Sequence, residues 1–292
     1  MKTSYSQTIT FSFLIAIFLS SCVISEEKEN DLTRSQLNGN IKSTIIEHYF
    51  ATQSFGEIEK HPSSLMSVTE REYNKSGNVI MYKKIAFNPD NDTSSFSHKT
   101  YLYNEKQERT EIVEYNDVGR KVKSTMHTYD ETGNNIKSTY KEDGAIDRVH
   151  KKKYNENKQL ESQQNYDADG TSSISYSYEY DNLGNNIKET VFYTSGELMY
   201  RYKRKYDTHN NMIEEIKYDD LGAVVHKEEY KYDNEGCLEL FYSEIEYTEE
   251  GEKYWSIEAE YDEVDEQGNW ITKKVATSNN HYSVSNKTIE YY

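Results

Sequence analysis

Acidic side chains are the most abundant groups in this sequence that could do chemistry. The chain has 51 Asp and Glu, and adjacent pairs recur at Glu214-Glu215, Asp219-Asp220 and Glu228-Glu229. Two carboxylates facing each other across a cleft could hydrolyse a glycosidic bond. With so many acids, however, pairs arise by chance, and most are expected on a solvent-exposed face. A carbohydrate hydrolase therefore remains an alternative hypothesis with no named catalytic residue.

The other residue types that bind metals or act as nucleophiles show no productive spacing. Asp90-Asn91-Asp92-Thr93 could gather oxygen ligands for calcium, but it lacks the Gly and the distal Glu of an EF-hand loop, so a plain polar loop is favoured. No Ser or Cys has the context of a nucleophile elbow. We predict no catalytic residue, no metal site and no cofactor. The histidines are scattered, without a pair at metal-ligand spacing: His48, His61, His98, His127, His150, His209, His226 and His281.

The N-terminus has the features of an export signal. Lys2 is followed by an apolar run over residues 11–19, which is too short for a permanent membrane span of about 20 residues. The next residues, Leu19-Ser20-Ser21-Cys22, resemble the lipobox of bacterial lipoproteins. The resemblance implies cleavage before Cys22 and acylation of Cys22, palmitate included, as the membrane anchor. More than one acyl chain is what stable anchoring requires.

The segment after Cys22 indicates where the protein is sorted. Residues 25–31 are acidic and polar and predict a flexible tether. The acidic stretch also resembles the surface-export signal of Bacteroidota lipoproteins. Because position 23 is Val rather than Asp, outer-membrane sorting is favoured, with surface exposure as an expectation. The predicted organisation is a signal peptide over 1–21, a lipidated tether over 22–36 and one repeat domain over 37–292.

Charge and cysteine content exclude several functions. The formal charge is -17, and removal of residues 1–21 deletes one Lys and no acid, which leaves 33 basic against 51 acidic residues, or -18. A surface of this charge repels nucleic acid, so no nucleic-acid partner is predicted. With Cys22 acylated, Cys237 stands alone, and neither an intramolecular disulfide nor a multi-thiolate metal site can form. Cys237 is expected to be a small, partly buried side chain; a reactive thiol is the alternative.

A short unit recurs along most of the chain: Tyr, then Asp or Asn, two variable residues, Gly and often Asn. The Asp or Asn suits the first position of a turn, and Gly supplies the positive φ that closes a hairpin. Units start about 11 to 15 residues apart, which leaves strands of about five or six residues. The clear copies begin at Tyr73, Tyr115, Tyr129, Tyr166, Tyr180, Tyr218 and Tyr232, and degenerate copies begin at Tyr103, Tyr140, Tyr154, Tyr193, Tyr206, Tyr247 and Tyr261.

The flanks of these turns alternate as strands do, with a Tyr-rich face and a Lys/Glu face. We predict an all-β fold, a long antiparallel meander of β-hairpin repeats in a twisted or curled, solenoid-like sheet. Its first strand is expected near residues 41–53, and residues 88–95 are expected to be an inserted loop. The tyrosines are expected to form the core; if a face stays open they could stack sugars or peptides. Two free sheet edges would allow chains to pair.

The repeats resemble the YD repeats of Rhs proteins over about residues 73–270. The last copy, which runs from Tyr261 to Gly268-Asn269-Trp270, has about three extra residues before its Gly, so its turn is expected to differ. Its Gly-Asn-Trp and the closing Tyr291-Tyr292 resemble repeat lipoproteins of Bacteroidota. In large Rhs toxins such repeats enclose a C-terminal effector, but this chain ends on a repeat-like segment, so toxin activity is not carried over.

Three functional hypotheses follow from these observations. The leading one is a non-enzymatic, lipid-anchored protein of the outer membrane that acts in binding or as a structural envelope component, with an unidentified protein or glycan ligand. An immunity or accessory protein of a polymorphic toxin system is the second. The third is an envelope carbohydrate hydrolase. The lipid attachment residue Cys22 is the one functional residue that the sequence names.

Overall fold

Almost every strand follows directly from a repeat and its turn. The computed structural model describes residues 30–88, 92–233, 239–248 and 251–292, with one short helix, α1, at Asp31–Arg34. Its strands are β1 Ile41–Ser54, β2 Glu57–Tyr73, β3 Val79–Phe87, β4 Thr93–Tyr103, β5 Arg109–Tyr115, β6 Lys121–Tyr129, β7 Asn135–Glu142, β8 Ala145–Tyr154, β9 Leu160–Asp167, β10 Ser172–Tyr180, β11 Asn186–Phe192, β12 Leu198–Tyr206, β13 Met212–Asp219, β14 Val224–Tyr232, β15 Glu239–Thr248, β16 Gly251–Val264, β17 Trp270–Thr277 and β18 Tyr282–Tyr291.

The strands form one closed, antiparallel, 18-stranded β-barrel. Each strand pairs with its neighbours in sequence, and β1 also pairs with β18, from Ile41 opposite Tyr291 to Ala51 opposite Tyr282. The all-β antiparallel meander is therefore confirmed, but the open, solenoid-like sheet predicted from the sequence is wrong. Two free edges would leave rows of unpaired backbone N–H and C=O groups, and closure pairs them within the chain. Edge pairing between chains loses its basis for the same reason.

The first strand and the first inserted loop were expected near residues 41–53 and 88–95. Strand β1 confirms the first expectation. The inserted loop is shorter than expected, because β4 already begins at Thr93 and the backbone N–H of Asn88 donates to the carbonyl of Asp92 at 2.9 Å, as in the repeat turns.

The repeat unit forms the turn that its residues predict. In the copy after β6, the carboxylate of Asp130 accepts hydrogen bonds from the backbone N–H groups of Thr132 and Asn134, both at 2.9 Å. Gly133 has a φ of +87°, which a residue with a Cβ adopts only under strain. The side chain of Asn134 returns a hydrogen bond to Asp130 at 3.1 Å. The Asp, Gly and Asn of the repeat thus close the hairpin through their own hydrogen bonds and backbone geometry.

The last repeat differs in its strand and not in its turn. The backbone N–H of Asp265 donates to the carbonyl of Asn269 at 2.8 Å, and that of Gly268 donates to Asp265 at 3.0 Å, as in the other copies. The extra residues lie instead in β16, where the pairing with β17 shifts register around Glu263. The expectation that this turn would differ is wrong, because strands absorb an extra residue as a bulge at lower cost than a tight turn does.

A ladder of tyrosine hydroxyls ties successive hairpins together at one end of the barrel. The tyrosine that ends each even-numbered strand from β4 to β14, and Tyr261 within β16, donates to the carbonyl of the first residue of the preceding strand; Tyr180, for example, donates to Leu160 at 2.9 Å. The pairing of the two strands stops two residues short of that carbonyl, as at Ser177 opposite Ser162, which leaves the carbonyl outside the regular pairing. The tyrosines are Tyr103, Tyr129, Tyr154, Tyr180, Tyr206, Tyr232 and Tyr261, and Tyr292 donates to Tyr73.

We expect Tyr180→Phe to lower the free energy of unfolding by about 1 kcal/mol, because the carbonyl of Leu160 loses its donor while the ring is kept. Tyr176→Phe, on the same strand and face, is the matched control and should change stability by less than about 0.5 kcal/mol. Urea unfolding of both variants measures the difference. Equal effects would mean that the ladder hydroxyls contribute nothing beyond those of other tyrosines.

Little of the barrel is buried. The fully buried apolar side chains of the described residues are Leu32, Ile41, Tyr73, Val113, Val191 and Val284. Only the first three form a cluster, with partly buried Leu37, Val79 and Ile289 packed against it, where the chain closes the barrel. A tyrosine core, as expected from the sequence, is therefore confined to Tyr73. The described residues contain no helix that is long and apolar enough to cross a membrane.

Candidate ligand-binding face of the barrel

One face of the sheet lies on the inside of the barrel and is called here the concave face. Residues opposite each other on paired strands share a face, which places Tyr178, Glu189 and Tyr202 together on β10, β11 and β12. Burial raises the pKa of Tyr178 and Tyr202 and of most other tyrosines on this face. Burial also lowers the pKa of His127, His150 and Lys152 there. A side chain inside a closed ring has more protein around it than one outside, and on β12 the exposed Lys203 and Lys205 lie on the opposite face, so the face of Tyr202 is the interior.

The opposite, convex face is rich in charges. Lys188 pairs with Glu179 at 2.5 Å, and Lys227 pairs with Glu214 at 3.4 Å. Burial raises the pKa of one convex tyrosine, Tyr49, so the separation between the faces is a strong tendency rather than a strict rule. The alternation of Tyr-rich and Lys/Glu-rich faces expected from the sequence is thereby confirmed, with the Tyr-rich face inside.

Helix α1 attaches the N-terminal segment to the barrel through Asp31. Both oxygens of the Asp31 carboxylate accept hydrogen bonds from the Arg109 guanidinium, at 2.7 and 3.0 Å. The same carboxylate accepts from the backbone N–H of Val79 at 2.9 Å and from the Tyr103 hydroxyl at 3.2 Å. Burial raises the pKa of Tyr103 to about 12. Residues 30–36 belong to the predicted tether, and sequence patterning gave no sign that Asp31 would pair with a residue 78 positions away.

The part of the concave face formed by β17, β18, β1, β2, β3 and β4 carries several cations. The carboxylates at its paired positions are Glu57 and Glu59, which lie at the far end of the β1–β2 hairpin, opposite Ser54 and Thr52. This basic region consists of Lys273, Lys287, Arg71, Lys84 and Lys99. Hydroxyl and imidazole groups lie between the cations: Thr44, His48, Ser67, Thr69, Ser97 and Ser285.

Lys287 is the most unusual cation of the basic region. It is 5% exposed, and burial lowers its pKa to about 7. Its Nζ lies 3.5 Å from the centroid of the Trp270 ring, a cation–π contact. Within the described part of the chain Lys287 has no ion pair. The ring of Trp270, at the start of β17, is thus the contact of a buried ammonium group.

A cavity of about 480 Å³ opens at one end of the basic region. Four cations and one carboxylate line it, which leaves an excess of positive charge. Arg71 lies over the ring of Tyr82, and Arg109 lies over the ring of Tyr101. The full lining is Asp31, Arg34, Ser35, Arg71, Val79, Tyr82, Ser97, Lys99, Tyr101 and Arg109.

The opposite stretch of the concave face, on β10 to β16, combines tyrosines with carboxylates. The hydroxyl of Tyr242 lies 3.3 Å from Glu228 and 3.2 Å from Glu244, and Tyr230 donates to Glu228 at 2.5 Å. His226 lies between the same two carboxylates, at 3.1 and 3.6 Å. Nearby, Arg204 bridges Glu189 and Glu215, at 3.1 and 2.5 Å. The ring of Trp255 contacts the ring of Tyr242 edge to face.

Glu228 does not have the properties of the general acid of a glycosidase. A glycosidase needs one carboxyl group whose raised pKa keeps it protonated as a general acid. The pKa of Glu228 is lowered, because hydrogen bonds from Tyr230 and His226 outweigh its burial. Burial does raise the pKa of Glu239, but Glu239 lies elsewhere, near Lys273. Among the described residues, no group of three or more His, Cys, Asp or Glu is arranged to hold a metal ion.

Some of the residues singled out in the sequence lie outside the described part of the chain, and the others do not form one site. Cys22, Cys237, Asp90 and Asn91 lie outside the described residues. The histidines do not come together in one site: His127 contacts Ser138 and Asn135, whereas His48 contacts Ser285. Sequence reasoning missed the basic region, because its cations come from strands far apart in the chain that become neighbours only when the barrel closes.

We expect the stability of the barrel to fall between pH 6.5 and pH 4 because of His127 and His150. Burial lowers the pKa of each to about 4, so in this range the unfolded chain binds protons that the folded chain does not. Each histidine should cost roughly 1 to 2 kcal/mol at the acidic end, allowing for its partial exposure. His127→Gln and His150→Gln should flatten the pH dependence of urea unfolding. His209→Gln, in an exposed turn, should leave the slope unchanged.

Comparison with known proteins gives structural matches only. No protein-family model matches the chain. No curated protein matches it either. A porin-like protein from Bacteroides uniformis is similar in structure, with 12% identity, a TM-score of 0.47 and coverage of 87% of this chain and 99% of that one. A porin-like protein from Bacteroides vulgatus matches with the same identity and coverage and a TM-score of 0.36.

A weaker structural match is the TcdB2-TccC3 protein without its hypervariable C-terminal region. The identity is again 12%, the TM-score is 0.30, and the match covers 74% of this chain. The chain spans only 14% of the length of that protein.

Proposed function

We propose that this chain is a non-enzymatic lipoprotein of the outer membrane, held by acylated Cys22, whose water-filled barrel binds a ligand on its concave face. The lipobox-like Leu19-Ser20-Ser21-Cys22 and the acidic segment after it support the anchor and the outward sorting. A barrel of 16 to 18 strands is wide enough to leave an aqueous channel, which supports access to the concave face.

The observation that carries this proposal is that both faces of the barrel wall are charged. A barrel that spans a membrane presents an apolar band about 25 Å tall to the lipid. Here the convex face carries Lys188, Lys227 and Glu214 in the middle of its strands, and the concave face carries Arg204 and Glu228. Placing such residues against lipid costs several kcal/mol in sum, so we place the wall in water and assign membrane attachment to the acyl chains.

Substituting each cysteine in turn distinguishes attachment through the acyl chains of Cys22 from insertion of the barrel itself into the membrane. Exported Cys22→Ser protein should leave the membrane fraction and become soluble, because the acyl chains are its only attachment. Cys237→Ser is the matched control and should stay with the membrane. Labelling with radioactive palmitate should mark the wild type and Cys237→Ser but not Cys22→Ser. Retention of Cys22→Ser protein in the outer membrane would overturn the proposal.

Protease added to intact cells tests the surface exposure that belongs to the proposal. The repeat domain should be degraded, while a periplasmic marker protein survives. A glycan array and a pull-down from envelope extract, both with the detergent-solubilised lipoprotein, then test binding. If neither yields a ligand that competes for the concave face, the binding role fails and a purely structural role remains.

A further inference from the structure

The basic region is positively charged, although the chain as a whole is negatively charged. The protein has a formal charge of -17, yet six neighbouring strands collect five cations on one face, where the carboxylates at paired positions, Glu57 and Glu59, are confined to the end of the β1–β2 hairpin. Lys99 pairs with Glu114 on β5 at 3.1 Å, and Lys273 lies near Glu239. Among the described residues, Arg71, Lys84 and Lys287 have no ion pair. A cluster of like charges on a wall whose other parts pair their charges is destabilising unless a ligand of opposite charge occupies it.

Lys287 shows where that ligand is needed. A buried ammonium group is normally paired or hydrogen-bonded, because removing it from water without a partner is costly. Lys287 is 5% exposed, and its Nζ lies against the face of Trp270 without an ion pair among the described residues. Asp265 favours the charged form of Lys287, whereas its neighbours on the same face, Arg71 and Lys273, are cations and disfavour it. An anionic group placed between these three cations would be a counter-ion to all of them.

We propose that the basic region binds an acidic oligosaccharide, whose carboxylate or sulfate groups contact the cations and whose sugar rings pack on the aromatic side chains. This rests on the proposed function and names the ligand class of the same concave face. The cations span six strands, roughly 24 Å at the usual strand spacing, which a chain of several sugars reaches and a single inorganic anion does not.

Three features select a sugar rather than another extended anion. Tyr82, Tyr101 and Trp270 lie beside the cations and present rings for stacking. Hydroxyl groups such as those of Ser97 and Thr69 lie between the charges and suit the hydroxyls of a sugar. The cavity of about 480 Å³ beside Arg71 has the size of a small-ligand site and would take one end of the chain.

Isothermal titration of the detergent-solubilised lipoprotein tests the inference. The probes are oligogalacturonate, a heparin-derived oligosaccharide, neutral dextran oligomers, sodium sulfate and a single-stranded DNA oligonucleotide. We expect the two acidic oligosaccharides to bind at least tenfold more tightly than dextran, sulfate or DNA, and the affinity to fall with added salt. Lys84→Met should weaken binding about tenfold, and Lys84→Met combined with Arg71→Met about a hundredfold.

Lys83→Met is the matched control, because Lys83 is the neighbour of Lys84 on β3 and pairs with Glu70 and His98 on the convex face. It should leave the affinity unchanged. Since Lys84 is exposed, its variant is expected to fold, and unfolding in urea checks this. Absence of binding by the acidic oligosaccharides, equal effects of Lys83→Met and Lys84→Met, or equal binding of DNA would each overturn the inference. Binding of a neutral glycan or peptide instead would overturn it and leave the proposed function standing.

Discussion

Asp31→Ala is expected to lower the free energy of unfolding by about 2 to 4 kcal/mol and to release the N-terminal segment from the barrel. The carboxylate joins Arg109, Val79 and Tyr103, and its side chain is 13% exposed while that of Arg109 is 28% exposed. Removing one partner of such a pair leaves the other charge and the backbone N–H of Val79 without a partner, which costs more than the bond itself contributes.

Hydrogen exchange distinguishes a local from a global loss. In Asp31→Ala, the backbone amides of Leu32 and Val79, which donate to Gly77 and Asp31, should exchange first, before the amides of the paired strands. Asp117→Ala removes an acid from an exposed turn at the other end of β5 and is the matched control, expected to change stability by less than about 0.5 kcal/mol. If Asp31→Ala behaves like Asp117→Ala, helix α1 does not hold the barrel closed.

Local structure was predictable because the repeats encode it residue by residue. Asp130, Gly133 and Asn134 each have a chemical reason to stand in a hairpin turn, and the alternation of side chains fixed which residues share a face. These signals are short-range, so one sequence carries them fully. The first strand and the Tyr-rich face followed from the same patterns.

Closure of the barrel was not predictable, because no local pattern records which strand lies beside the first. The pairing of Ile41 with Tyr291 joins residues at opposite ends of the chain. A meander of identical hairpins satisfies its local rules equally well as an open or a closed sheet. The free energy that decides between them is the hydrogen bonding of two edges, which depends on curvature accumulated over 18 strands.

The basic region escaped prediction for the same reason as closure did. Lys287 and Lys84 are unremarkable members of alternating strands when each is viewed alone. They belong to one region of the concave face only because β18, β1, β2 and β3 are consecutive around the closed barrel. The charge of the whole chain even argued against an anionic partner, since an average over 292 residues hides a local excess of opposite sign.

Where the barrel closes, Asn269 makes contacts that the equivalent asparagines of other repeats lack, and it should therefore contribute more to stability. Asn134 and Asn269 occupy the same position of the repeat and make the same backbone hydrogen bond to the Asp of their turn, at 2.9 and 2.8 Å. Asn269 is 2% exposed and also binds the N-terminal segment: it accepts from the backbone N–H of Asn38 at 2.7 Å and donates to the carbonyl of Asn38 at 2.9 Å. The second contact fastens residues 37–40 where the barrel has chain ends instead of a turn.

Asn269→Ala is therefore expected to lower the free energy of unfolding by about 2 to 3 kcal/mol, because both backbone groups of Asn38 lose a partly buried hydrogen bond. Asn134→Ala, which disturbs only its own turn, should cost about 1 kcal/mol or less. Urea unfolding gives both values, and combining Asn269→Ala with Asp31→Ala asks whether the two contacts hold one segment. A double variant that loses clearly less than the sum of the single losses would show that they do. Equal effects of Asn134→Ala and Asn269→Ala would instead mean that the repeat position alone, and not the contact with Asn38, sets the contribution of this asparagine to stability.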